Sequence, residues 1–195
     1  MPTINIHEKV GYEIGKKVNL HSYDYYLGLL APDAPNLKGF APKEERWMAH
    51  QRREDYDDWR DALHRFYQQE KDHYPREFLL GYFIHILTDI VYDDFFYLKV
   101  REKILNDYSL EESHQVMRND MEKYRFLEMS MIQDLLKKNH TSYDILNISS
   151  KELSLWKEKQ ISLFQKETSC DYITEDIINA LVDEVYKELL MRIEP

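Results

Sequence analysis

The sequence predicts an all-α fold, on three observations. Apolar residues recur at three- and four-residue spacing along most of the chain. Gly and Pro are scarce, five and six in 195 residues, and Gly28, Pro32, Pro35, Gly39 and Pro42 crowd one short segment. No alternating apolar–polar run leads into a hairpin turn.

Six or seven helices follow from this pattern. The first spans about 5–18, with Ile6, Val10, Ile14 and Val18 four residues apart. A short helix covers about 22–30. The segment LGLLAPDAPNLKGFAP is expected to be the one long loop. A charged helix, whole or broken near its middle, occupies roughly 44–72. The most apolar stretch begins after Pro75, a favoured residue of a first helical turn, and runs to about 99. Ser109 and Glu112 carry a capping-box signature for a helix to about 139. Ser149 and Glu152 repeat the signature for 150–167. The last helix covers about 174–193, with Ile177, Leu181, Val185, Leu189 and Ile193 on one stripe. There is no internal repeat and no dividing linker. Residues 1–195 are therefore expected to form one domain around the apolar helix.

Composition narrows the function. A hydrophobic fraction of 43% supports a real core. A formal net charge of -10 argues against nucleic acid as a stable partner, because such surfaces are basic. It leaves room for a small phosphoester held by a metal. A single cysteine, Cys170, rules out an intramolecular disulfide and a cysteine-built zinc site. The start, MPTINIHEKVGYEIGKK, lacks the apolar core of a signal peptide, so a cytoplasmic location is expected. Residues 78–98 have the length of a membrane span. But His85, Asp89, Asp93 and Asp94 each carry a heavy penalty in lipid. A buried helix is expected there, and no transmembrane segment.

That helix, FLLGYFIHILTDIVYDDFF, poses the chemical question. His85 and Asp89 are four residues apart and share one helix face. Such a pair suits two ligands on one zinc, iron or manganese ion, or a hydrogen-bonded pair needing no metal. A divalent cation would offset buried negative charge. Three more residues enter as candidates. Asp33 lies between two prolines in APDAP, as a ligand or an ordinary turn aspartate. His7 lies on the inward stripe of the first helix, as a ligand or a satisfied core residue. His50 sits in RWMAHQRR, as a ligand or a solvent-facing side chain. His114, Arg118 and Arg125 lie near one face of a later helix; His114 is expected to point inward, the arginines outward. There is no Gly-rich phosphate loop, GxSxG or HExxH, and no His–Asp dipeptide.

Together, His7, Asp33, His50, His85 and Asp89 resemble the ligand pattern of the zinc-dependent phospholipase C family, related to the zinc-dependent single-strand nucleases. The family's LGxxxPD loop reads LGLLAPD at 27–33, and its GYxxHxxxD helix reads GYFIHILTD at 81–89. The resemblance covers roughly the first half of the chain. It implies a helical fold with zinc at the end of the bundle. His85, Asp89, Asp33 and His50 would share one ion, and His7 a second, with Asp89 as bridge. The family's third metal uses a further histidine and a later HxxxE, and neither occurs here. The nearest segments are His114-x3-Arg118 and His140-x3-Asp144. One or two zinc ions are therefore expected, with iron or manganese as alternatives.

The expected function is a metal-dependent phosphoesterase acting on a small soluble ester or diester through metal-activated hydroxide. Asp33 would double as the general base. The amphipathic C-terminal helix would support a homodimer. The alternative is a non-catalytic helical binding protein with a structural or vestigial metal site.

Overall fold

A computed structural model describes residues 1–162 and 170–193. Every regular element among them is helical. In order they are α1 (Ile4–Val18), α2 (Tyr23–Leu30), a 3-10 segment (Ala31–Lys38), α3 (Lys43–Ala49), α4 (Tyr56–Glu70) and α5 (Arg76–Val91). A π-helical turn (Tyr92–Phe96), α6 (Tyr97–Ile104), α7 (Leu110–Lys123), α8 (Met129–Lys137), α9 (Ser150–Ser162) and α10 (Glu175–Arg192) complete the fold. The chain is all-α, as expected. Among the described residues, no helix is long and apolar enough to cross a membrane.

Several boundaries differ from expectation, each for a local reason. Counting α5, the π turn and α6 as one rod, and α2 with its 3-10 continuation as another, nine rods stand among the described residues where six or seven were expected. The supposed loop at 28–42 is mostly helical. α2 runs through Gly28 to Leu30, and 31–38 continues as a 3-10 helix whose early Pro32 loses no needed donor. The charged helix takes the broken of its two expected forms, at 50–55, where Gln51 takes a left-handed φ of 50° and Asp55 caps α4. The helix begun by the Ser109–Glu112 box stops at Lys123 instead of running to 139. Tyr124 turns extended there. Its hydroxyl donates to Glu175 at 2.7 Å, and buried Phe126 packs beside Tyr12 under Lys9. Tertiary contacts override local propensity at that point. The second capping box forms at Ser149 and Glu152. The end expected for its helix, 163–167, lies outside the described residues.

α5 is the central rod. Every residue from Phe78 to Val91 is buried. α1, α2, α4 and α10 pack around it. Its approach to α2 is set by two glycines. A Cβ at Gly28 would lie 2.0 Å from the Phe78 carbonyl oxygen, and one at Gly81 would lie 2.1 Å from that of Tyr25. Backbone therefore meets backbone at this crossing, in both directions. That contact brings the α2 carbonyls within reach of side chains on α5.

Candidate metal centre

α5 presents His85 and Asp89 one turn apart, both 0% exposed. α1 brings in His7 along its buried stripe, beside Ile6 and Val10. The 3-10 segment supplies Asp33, and His50 caps the end of α3. The structure gathers all five sequence candidates into one cluster. Asp89 is its hub. Its Oδ1 lies 3.3 Å from His7 Nε2, and its Oδ2 lies 3.5 Å from His50 Nε2 and 3.9 Å from His85 Nε2. Asp33 Oδ1 is 3.6 Å from His50 Nε2. The His7 and His85 rings stack at 3.7 Å. Two overlapping triads, His7–His85–Asp89 and Asp33–His50–His85, each have ligand atoms within 4.8 Å of one another.

Backbone carbonyls fix the imidazole tautomers. His85 Nδ1–H donates to the Leu29 carbonyl at 2.7 Å, and His50 Nδ1–H donates to that of Arg46 at 2.9 Å. A carbonyl only accepts, so in each neutral ring Nε2 carries the lone pair. Both lone pairs turn toward Asp89. This is the outer-sphere arrangement that orients histidine ligands on a metal. It depends on the glycine crossing, because Leu29 comes close only if Gly28 has no side chain.

The cluster is rich in acceptors and poor in donors. His50 Nε2, His85 Nε2 and both oxygens of Asp89 are buried and make no hydrogen bond. Burial holds the imidazoles neutral, pushing His85 down to about 3 and His7 to about 4, and lowering His50 as well. Burial also raises Asp89 and Asp33, against the pull of His50. Four buried acceptors without a hydrogen bond cost several kcal/mol, and the nearest nitrogen to Asp89, His7 Nε2 at 3.3 Å, makes none with it. A divalent cation would satisfy all of them, so the residues fit a metal.

The rest of the polar row on the apolar rod has ordinary partners. Asp93 lies in the π turn and pairs with the Met1 amino group at 2.9 Å and with Arg52 at 2.8 Å. Asp94 pairs with Arg60 at 2.7 Å. Asp89 is thus the unpaired carboxylate of the three.

A cleft of about 900 Å³ opens beside the cluster, with Asp33 and His50 in its wall. His114 lines it and is exposed, where an inward position was expected. Arg118 and Arg125 line it too. Sequence reasoning missed Glu8, a 5% exposed carboxyl on the same wall. Burial pushes it up to about 8 against the opposing Arg125 charge. It also missed the role of Gly28 and Gly81. Their signal was present, a glycine among large residues in each of two apolar helices. Compared with known proteins, the chain matches no protein-family model, no curated protein and no solved structure.

Proposed function

We propose that this chain is a metal-dependent hydrolase of phosphoric esters, similar to the zinc-dependent phospholipases C and acting on a small soluble phosphomonoester or diester. The observation that carries the reading is the buried cluster of orphaned acceptors around Asp89. His85, Asp89, Asp33 and His50 would hold the main zinc ion, and His7 with Asp89 a second; iron or manganese would suit the same donors. A divalent cation supplies Lewis acidity toward phosphoryl oxygen and activates water.

The chain's own groups do the rest. Asp33 is 19% exposed and borders the cleft. It is therefore the carboxylate of the cluster placed to take a proton from attacking water. Asn36 Nδ2 donates to it at 3.3 Å and steadies its orientation. Asp89, fully enclosed, stays a positioning group. The apolar wall of α5 keeps bulk water off the buried side.

The test is elemental analysis of protein purified without added metal and without a histidine tag. Phosphomonoester and phosphodiester turnover, with 4-nitrophenyl phosphate and its bis ester, follows. One or two equivalents of zinc, iron or manganese with turnover are expected, and Asp89→Asn should lose both. A protein that takes up no metal on titration would sink the reading. It would leave the cluster as a core polar network in a helical binding protein.

A further inference from the structure

The protein carries a net charge of -10, yet the cleft beside the cluster gathers four cations among its three carboxylates, Glu8, Asp33 and Glu122. Arg118 on α7 and Arg125 just beyond it stand on one set of elements. Arg46 on α3 and Lys159 on α9 stand on another. α7 packs on α1 and α6, whereas α9 packs on the 3-10 segment and α8, so the two pairs come from separate parts of the fold. Arg118 lines the cleft together with Asp33, and its Nε donates to Glu122 at 2.9 Å. Arg46 and Lys159 make no ion pair with a carboxylate among the described residues. Arg46 Nε donates to the Ala41 carbonyl at 3.0 Å, and its guanidinium stacks on Phe40 at 3.9 Å. Lys159 Nζ donates to the Leu37 carbonyl at 3.0 Å. Both cations are held in place by backbone, half-buried, with charge to spare.

Two aromatic side chains stand beside the second pair, Phe40 against Arg46 and Trp156 against Lys159. Phe40 is 70% exposed. Trp156 is 7% exposed, and its indole Nε1–H is buried without a partner. A buried indole donor in a cleft wall normally finds an acceptor.

We propose that this cleft selects a small phosphoester whose alcohol part is an apolar or aromatic body bearing a second anionic group. The phosphoryl end faces Asp33 and Arg118, and the second anion meets Arg46 and Lys159. The identity of the first end as an ester rests on the phosphoesterase reading; the dianion selectivity does not. Long polyanions are disfavoured, because the positive charge is confined to the cleft of an acidic protein.

Two non-hydrolysable probes separate the claims by calorimetry. Benzylphosphonate carries one anionic group and 4-(phosphonomethyl)benzoate carries two. The second should bind at least about tenfold more tightly, as expected for one half-buried charge pair. That ratio should fall toward one in Arg46→Gln and, separately, in Lys159→Met. Arg118→Gln should weaken both probes alike. Equal binding of the two probes, no binding of either, or a ratio unchanged in both Arg46→Gln and Lys159→Met would overturn the proposal. A metal-free, inactive protein that keeps the ratio would overturn the phosphoesterase reading and leave the dianion site standing.

Discussion

Asp89 and Asp120 are the same residue type at nearly the same burial, 0% and 2% exposed, and they do opposite things. Asp120 on α7 accepts from the backbone N–H groups of Asp171, Tyr172 and Ile173 at 2.8, 2.9 and 2.8 Å. The carboxylate pins the chain entering α10 and is fully used there. Asp89 sits among three imidazoles and another carboxylate, with no hydrogen bond to either oxygen. One aspartate closes a hydrogen-bond account and the other leaves it open. Burial by itself therefore does not mark a site. A buried carboxylate without donors does, because a fold keeps that cost only where something else supplies the charge.

Substitutions at the two aspartates should move stability in opposite directions. The largest effect is expected from Asp120→Ala, which strands three backbone donors and should cost about 4 kcal/mol in denaturant unfolding. A loss below about 1 kcal/mol would mean that water replaces the carboxylate, and the contrast would fail. Next comes Gly28→Ala. A Cβ there would meet the Phe78 carbonyl oxygen at 2.0 Å, so α2 and α5 must separate. About 3 kcal/mol of destabilisation is expected. The Leu29 carbonyl would be drawn from His85 at the same time, so metal content should fall with stability. Retained metal at reduced stability would show that the centre does not need this crossing.

A pH-dependent readout lies beside Asp120. The Cys170 Sγ donates to the Asp120 carbonyl at 3.2 Å, and burial pushes the thiol up to about 11 from its usual 9. A raised pKa means less thiolate, so alkylation by iodoacetamide at pH 8 should run about 100-fold slower than for a free thiol. Rates should climb between pH 9 and 11, and Asp120→Ala should restore ordinary reactivity. A fast reaction in the unaltered protein would count against an ordered anchor.

The smallest effect has the opposite sign. In metal-stripped protein, Asp89→Asn removes a buried charge and gives His50 or His85 Nε2 an amide donor. Thermal melts should show a gain of about 1–2 kcal/mol. With metal at about 100 times its dissociation constant, the unaltered protein should gain about 2.7 kcal/mol and the variant nothing. A destabilised variant without metal would place Asp89 with Asp120, as a structural residue.

How much was legible in the sequence follows from these residues. The helical class, the ends of α1 and α10 and both capping boxes were written locally, in four-residue spacing and Ser-x-x-Glu pairs. Such signals act within a turn or two of helix. The five residues around Asp89 were legible as candidates, because His85 and Asp89 fall one turn apart and the others matched a recognisable spacing. Their meeting was not legible from periodicity. It needs α1, the 3-10 segment, the end of α3 and α5 to converge, and that depends on two glycines letting two backbones touch. The break at Tyr124 was hidden for the same kind of reason, since Glu175 and Tyr12 draw the chain out of the helix from 51 and 112 residues away. Sequence determined which side chains share a helix face, a property of a 3.6-residue repeat. Only the tertiary structure decided which of three carboxylates on one apolar rod lacks a cation or a hydrogen bond: Arg52, Arg60 and the Met1 amine reach Asp93 and Asp94, and Asp89 is left with neutral imidazoles and no hydrogen bond.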